Sequence, residues 1–208
     1  MSTAQKYEAK ADRWSEQAYA DAGSYLSHRA ELIVSLGVPL EPGDRVLDLA
    51  CGDGGLAEPL LARGLSYLGV DASEAMVAAA RQRVGARAEF AHADLNDYAP
   101  PSPVAATTCF RAIYYARDRP AFFRRIAEYT ERKVVFDLNP RQYQPADVLA
   151  ELRSAGLTEV ELRPFFVPQT VALPSPLAAA FRAAERTGPL ARLALRFRFT
   201  YLVAAWRT

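Results

Sequence analysis

Ten residues, Val46-Leu47-Asp48-Leu49-Ala50-Cys51-Gly52-Asp53-Gly54-Gly55, constrain this chain more than any others. An apolar stretch of strand character ends on a carboxylate, then bends through glycines into the helical pattern of Leu56–Leu61. Gly52 and Gly54 carry no Cβ, so the backbone can turn sharply there and let a ligand lie against it. A second short strand, Leu68-Gly69-Val70-Asp71, also ends on an acid. A glycine turn followed about 20 residues later by a strand-terminal carboxylate is how an α/β sheet holds the ribose of an adenosine-bearing cofactor. Two such cofactors compete. Gly52-Asp53-Gly54-Gly55-Leu56-Ala57 fits the pattern G-x-G-x-x-G/A, which admits a nicotinamide or flavin oxidoreductase. Asp48 speaks against it, because a pyrophosphate over a helix N-terminus disfavours a neighbouring carboxylate, whereas a cationic amino-acid end favours one.

Asp48-Leu49-Ala50-Cys51-Gly52-Asp53-Gly54 resembles the first motif of the class I S-adenosylmethionine-dependent methyltransferases, usually Asp-Leu-Gly-Cys-Gly-Thr-Gly, with Ala50 in place of the first glycine. In that family the acid lies near the methionine ammonium. Leu68 to Met76 is similar to the second motif, which gives Asp71 the two ribose hydroxyls, with Ala72 and Met76 beside it. Ser73 is placed to cap the next helix. Ala88 to Leu95 reads as a third strand, and Asp94 matches the family acid that accepts from the adenine amino group, with Leu95 adjacent. The resemblance covers roughly residues 40–160. It implies S-adenosyl-L-methionine as cofactor, held by Trp14, Tyr19, Asp48, Ala50, Gly52, Gly54, Asp71, Ala72, Met76, Asp94, Leu95 and Phe110.

Strand and helix patterns alternate along the chain. Strands are expected at Arg45–Leu49, Ser66–Val70, Ala88–Phe90, Ala105–Phe110, Lys133–Leu138, Thr158–Val167 and Phe197–Trp206. That alternation implies an α/β fold with a doubly wound, mostly parallel sheet. The resemblance implies seven strands in the order 3-2-1-4-5-7-6, the last antiparallel. One domain of 208 residues is expected, with a helical cap over 1–37, a cofactor core over 40–160 and an insertion over 168–196. In the cap, Tyr7, Ala11 and Trp14 share a face, and a second segment turns Leu26, Ala30, Ile33 and Val34 inward before Gly37. The insertion carries a helix from Ser175-Pro176 with Leu177, Ala180, Phe181 and Ala184 on one face. Its arginines (Arg182, Arg186, Arg192, Arg196, then Arg198) read as a solvated face, or as partners for an anionic acceptor or a membrane surface.

A formal net charge of +1 gives no general pull toward nucleic acid, and no apolar run approaches the ~20 residues of a membrane span. Met1 to Lys6 has no signal-peptide character, so a cytoplasmic protein is expected. Two cysteines, Cys51 and Cys109, and two histidines offer no metal spacing, so no metal is expected. A homodimer is compatible with the sequence.

Methyl transfer from a sulfonium is an in-line displacement that needs alignment and exclusion of water more than a catalytic triad. The candidates beside the reacting groups are His28 as a base, Tyr115, and Arg111 in the run Phe110-Arg111-Ala112-Ile113-Tyr114-Tyr115. His92 reads as structural. Trp14, Tyr19 and Tyr25 are similar in spacing to the cap of small-molecule N-methyltransferases, and aromatic faces can steady a cation. Asn139-Pro140-Arg141 lacks the Asn-Pro-Pro-Tyr form of nucleic-acid and glutamine amino-methyltransferases, which argues against a DNA base or protein amide as acceptor; a small-molecule acceptor methylated at oxygen or nitrogen is expected.

Overall fold

A computed structural model describes residues 14–186, 188, 193 and 200–208. In chain order the elements are α1 (Trp14–Ala18), α2 (Ala22–Ser35), β1 (Arg45–Leu49), α3 (Ala57–Leu61), β2 (Ser66–Asp71), α4 (Glu74–Val84) and β3 (Glu89–His92). There follow β4 (Val104–Cys109), α5 (Arg119–Tyr129), β5 (Thr130–Leu138), α6 (Pro145–Ser154), β6 (Glu159–Pro164), α7 (Ser175–Glu185) and β7 (Tyr201–Trp206). The seven strands form one sheet in the order β3-β2-β1-β4-β5-β7-β6. All neighbours are parallel except β7, which runs antiparallel to both β5 and β6. This is the fold the sequence predicts.

Local chemistry explains where the helices start and stop. Ser73 Oγ accepts from the Met76 N–H at 3.3 Å to open α4, and Gly85 closes it at φ 65°. Asp118 caps α5 by accepting from the Ala121 N–H at 2.9 Å, with Pro120 in the first turn. The central strands are apolar on both faces, as a covered parallel sheet requires. One core lies under α2, α3 and α4 and contains Ile33, Leu60, Val77 and Val46. The other lies under α5 and α6 and contains Phe123, Ile126, Leu152 and Leu47.

Several boundaries differ from the sequence reading. The fifth strand begins at Thr130 and follows α5 without a loop, because Thr130 Oγ1 donates to Ile126 O at 2.6 Å and also meets Thr107 Oγ1 at 2.6 Å. The sixth strand is shorter, Glu159–Pro164, and ends at its proline. In α7, Leu177 and Phe181 are exposed, while Ala178 and Glu185 pack inward. Arg182 is not a solvated charge, since its guanidinium donates to Ser24 Oγ on α2 at 2.7 Å. Arg186 pairs with Glu31 of the same helix at 2.6 Å. The insertion therefore straps the cap, helped by Gln169, which bonds Ala18 O and the Ala20 N–H. Tyr7, Ala11, Arg192, Arg196, Arg198 and the first residues expected of the last strand lie outside the described residues.

Candidate active site

The sheet reverses its winding between β1 and β4, and ligands in such sheets bind beyond the strand carboxyl ends at that point. A cavity of about 290 Å³ opens there, bounded by the loops after β1, β2, β3 and β4 and by the cap.

Asp48 forms its floor. The side chain is buried between two neighbouring strands, its Oδ2 accepting from Tyr67 OH at 2.6 Å and its Oδ1 from Thr108 Oγ1 at 2.7 Å. Burial pushes its carboxyl up to about 6, opposed by those two hydroxyl donors and by Arg29. At neutral pH it is an anion held by neutral donors, suited to a cationic ligand group. The chain then leaves β1 through left-handed conformations at Ala50 (φ 63°), Gly52 (58°) and Gly54 (72°). A Cβ on Gly54 would meet Ala80 at 3.0 Å, so this glycine lets the loop sit against α4. Asp71, at the end of β2, accepts from the Gly52 N–H at 2.8 Å and from the Ser73 N–H at 2.9 Å. One carboxylate thus joins both loops, and burial holds its pKa above the ordinary range.

Asp94 is arranged differently. Its Oδ1 accepts from the Asn96 backbone and side-chain amides, and its Oδ2 pairs with Arg117 at 2.7 Å. Desolvation raises its pKa, but the Asn96 hydrogen bonds and Arg117 together outweigh it and leave the carboxyl below its ordinary value. Both oxygens are therefore engaged, so an adenine amino group would share this acid with Asn96 and Arg117. Ala72, Met76 and Leu95 also line the cavity.

The opposite wall is the loop after β4. Phe110, Arg111 and Tyr115 line it, as does Tyr114, whose ring lies 4.3 Å from that of Tyr115. Arg111 has φ 54°, and its N–H donates to Asp137 Oδ1 at 2.7 Å. Burial raises the Asp137 carboxyl, opposed by Arg29 and by the Arg111 N–H and guanidinium. Tyr19 closes the cap side, stacked on Tyr25 at 4.4 Å.

The cavity thus brings together Tyr19, Asp48, Ala50, Gly52, Asp71 and Asp94 with the Phe110–Tyr115 loop. Gly54 shapes the loop from behind, and the Trp14 side chain lies outside the described residues. The structure does not bring His28 to the cavity, which corrects its reading as a base. It is 2% exposed, and its Nε2 meets Glu185 Oε2 at 2.6 Å while Phe165 stacks at 5.2 Å. A packed histidine whose ring nitrogen faces a buried acid on α7 has no access to an acceptor. Sequence reasoning missed Arg29, Asp53 and Asp137. Asp53 stands within the glycine motif and was legible only as a loop residue, although both its oxygens bond to Ser15. Arg29 and Asp137 meet this site through contacts distant in sequence.

Residues 46–133 match the family described as a methyltransferase domain. That match spans less than half of the chain; with the strand order above it makes the chain similar to the class I S-adenosylmethionine-dependent methyltransferases. Over 61 residues the chain is 43% identical to 23S rRNA (uracil(1939)-C(5))-methyltransferase RlmD of Azoarcus sp. strain BH72, a stretch covering 27% of this chain and 14% of that protein. The chain spans well under a third of the curated relatives it matches, 14% and 27% of their lengths. Among solved structures it is similar to a chain in the complex of the Haloferax volcanii Trm112 methyltransferase activator with a proposed methyltransferase. Identity there is 20%, coverage 99% of this chain and 98% of that one, and TM-score 0.68. It is also similar to Haemonchus contortus phosphoethanolamine N-methyltransferase 2 bound to S-adenosyl-L-methionine, with 17% identity, coverage of 100% and 60%, and TM-score 0.68. At these identities the likeness is one of fold.

Proposed function

We propose that this chain transfers the methyl group of S-adenosyl-L-methionine to an oxygen or nitrogen of a small-molecule acceptor. The observation that carries the reading is Asp48, a buried carboxylate facing the cavity at the switch point, held by Tyr67 and Thr108 with no cation paired to it among the described residues. A dinucleotide pyrophosphate would meet repulsion there; an amino-acid ammonium would be stabilised. The donor set fits the cofactor: Asp48 for the ammonium, Asp71 for the ribose hydroxyls, and Asp94 with Leu95 for the adenine. When bound, S-adenosylmethionine supplies a methyl group already activated on a sulfonium.

The chain's own part is binding, orientation and exclusion of water. Gly52, lacking a Cβ, lets the loop approach the ligand while Asp71 fixes that loop to the one after β2. Phe110, Tyr114 and Tyr115 wall the acceptor side, and Tyr19 and Leu26 cover it from the cap. Orientation of this kind contributes ~7–11 kcal/mol to a bimolecular reaction. On this reading Tyr115 and Arg111, which line the cavity, are the groups that touch an acceptor. The near-neutral net charge and the aromatic wall support a small molecule over RNA.

Incubation with methyl-labelled S-adenosylmethionine and a fractionated metabolite pool tests the reading. Label should move to a low-mass product. Transfer to RNA alone would overturn the acceptor class, and turnover of a nicotinamide cofactor would overturn the whole.

A further inference from the structure

Two loops meet on one wall of the cavity, the one after β3 that carries Asp94 and the one after β4 that carries Tyr115. A single side-chain amide joins them. Asn96 is half-buried and lines the cavity. Its Nδ2 donates to Asp94 Oδ1 at 2.7 Å and, across 19 residues of sequence, to Tyr115 O at 3.0 Å. Its Oδ1 accepts from the Arg117 N–H at 2.9 Å. Both protons of the amide nitrogen are therefore spent, one on each loop, and the oxygen faces the second loop again. A carboxamide can donate twice and accept from one planar group; an aspartate of the same shape has no proton to give at neutral pH. Arg117 adds a guanidinium contact to Asp94, but its side chain is exposed, and an exposed ion pair holds a loop weakly.

The second loop has little regular structure to hold it. After β4 the backbone leaves the sheet, passes through a left-handed residue at Arg111 (φ 54°) and makes one 3₁₀ turn at Ile113–Tyr115. Its near end is fixed by the Arg111 N–H on Asp137 and by the buried Ala112 and Ile113. The Tyr115 and Ala116 N–H groups bond back within the turn, to Ala112 O and Ile113 O. Asn96 supplies the bonds at Tyr115 O and the Arg117 N–H from outside the loop. We propose that Asn96 is a positioning residue for the acceptor side of the reaction: it sets the Tyr114–Tyr115 wall against Asp94. The inference rests on the methyl-transfer reading, which puts the adenine at Asp94 and the acceptor at Tyr115. Asn96 acts through Tyr115 and not on the reacting atoms. A displacement of about 1 Å in a group that aligns two reactants can lower a rate about a hundredfold.

The test compares wild type, Asn96→Ala and Asn96→Asp. Asn96→Ala removes every side-chain tie. Asn96→Asp fills the same space but loses the proton given to Tyr115 O, so a role in packing alone would be rescued by it. Calorimetry with S-adenosylhomocysteine should give an affinity for Asn96→Ala within about threefold of wild type, which also shows that the variant is folded. Amide exchange over residues 113–117 of the ligand-free protein should be at least tenfold faster in Asn96→Ala. Transfer of label from saturating methyl-labelled S-adenosylmethionine to the fractionated metabolite pool should fall roughly ten- to a hundredfold in both variants. Wild-type transfer in Asn96→Asp would make Asn96 a space filler and overturn the proposal. Unchanged amide exchange in Asn96→Ala would overturn it as well, as would a loss of S-adenosylhomocysteine affinity matching the loss of transfer, which would assign Asn96 to the cofactor. Wild type that binds no S-adenosylhomocysteine and moves no label contradicts the methyl-transfer reading instead; amide exchange in the ligand-free proteins then decides by itself whether Asn96 holds the loop.

Discussion

Ser15 and Asp53, 38 residues apart, are joined by two hydrogen bonds: the Ser15 N–H donates to Asp53 Oδ2 at 2.9 Å, and the Ser15 hydroxyl donates to Oδ1. The cap is thereby tied to the same glycine loop that lines the cavity floor. Asp53 also pairs with Arg83 at 2.8 Å and is itself buried. Removing one partner of a buried, bonded pair typically costs about 3–5 kcal/mol. Asp53→Ala should sit near the low end, because Arg83 is partly exposed. Hydrogen exchange should show residues 14–26 losing protection in this variant, with faster release of S-adenosylhomocysteine. Gly55→Ala should act similarly, since its Cβ would collide with the Ser15 hydroxyl. Unchanged protection in both would mean the cap is held by α2 packing alone.

Cofactor affinity should depend on pH through Asp48. Its carboxyl, pushed up to about 6 by burial, must be ionised to meet an ammonium. Affinity should therefore hold above pH 7 and fall as pH drops, about tenfold by pH 5. Asp48→Asn should bind weakly at pH 7 and flatten most of that slope, the remainder belonging to Asp71, whose pKa is also raised. Isothermal titration across pH 5–8 with S-adenosylhomocysteine checks both statements.

Ala50 adopts a left-handed backbone, φ 63°, that costs a residue with a Cβ about 1–2 kcal/mol. Ala50→Gly removes that strain but makes the unfolded chain more flexible, at about 0.4–1 kcal/mol. A net gain of roughly 0.5–1 kcal/mol in denaturant stability is expected, with cofactor affinity preserved. Loss of stability would place the alanine methyl in packing that outweighs the strain.

Lys133 is fully buried on β5, its ammonium donating to Leu36 O at 2.6 Å and Val34 O at 3.1 Å at the end of α2. Burial pushes its pKa down to about 7, against the pull of Glu161 and Asp44. Between pH 7 and the ordinary lysine value near 10.5 the unfolded chain binds more protons than the folded one. Stability from this group therefore rises with pH across that window, by at most about 1.4 kcal/mol per unit, and is flat below it. Urea unfolding of wild type against Lys133→Met, from pH 6 to 9, should show the difference between the two changing only above pH 7.

The sheet and the cofactor side of the cavity were legible because they are written locally. Asp71 ends β2, Asp48 stands one residue before the end of β1 and Asp94 two residues beyond β3, and Ser73 caps α4, so spacing together with the motif resemblance locates them. Arg29, Asp53 and Asp137 were hidden for the opposite reason: each acquires its role from a partner on another element. Nothing in the sequence around Arg29 marks it; its place comes from α2 packing its guanidinium over the ring of Phe110. His28 shows the converse, since its neighbours allowed a cavity position that Glu185 on α7 takes away. Arg182 on α7 misled in the same way, because composition shows charge but not that Ser24 receives it.

The central claim, that Asp48 and Asp71 frame a site for S-adenosylmethionine, is tested most directly by calorimetric titration of S-adenosylhomocysteine and NAD into wild type and Asp71→Ala. Asp71 carries the Gly52 and Ser73 N–H groups as well as the expected ribose hydroxyls, and charge-assisted bonds of this kind contribute ~1.5–3 kcal/mol each. Saturable binding of S-adenosylhomocysteine to wild type, no binding of NAD, and at least a tenfold loss in a folded Asp71→Ala are predicted. Binding of NAD in preference, or undiminished S-adenosylhomocysteine affinity in the variant, would contradict the account.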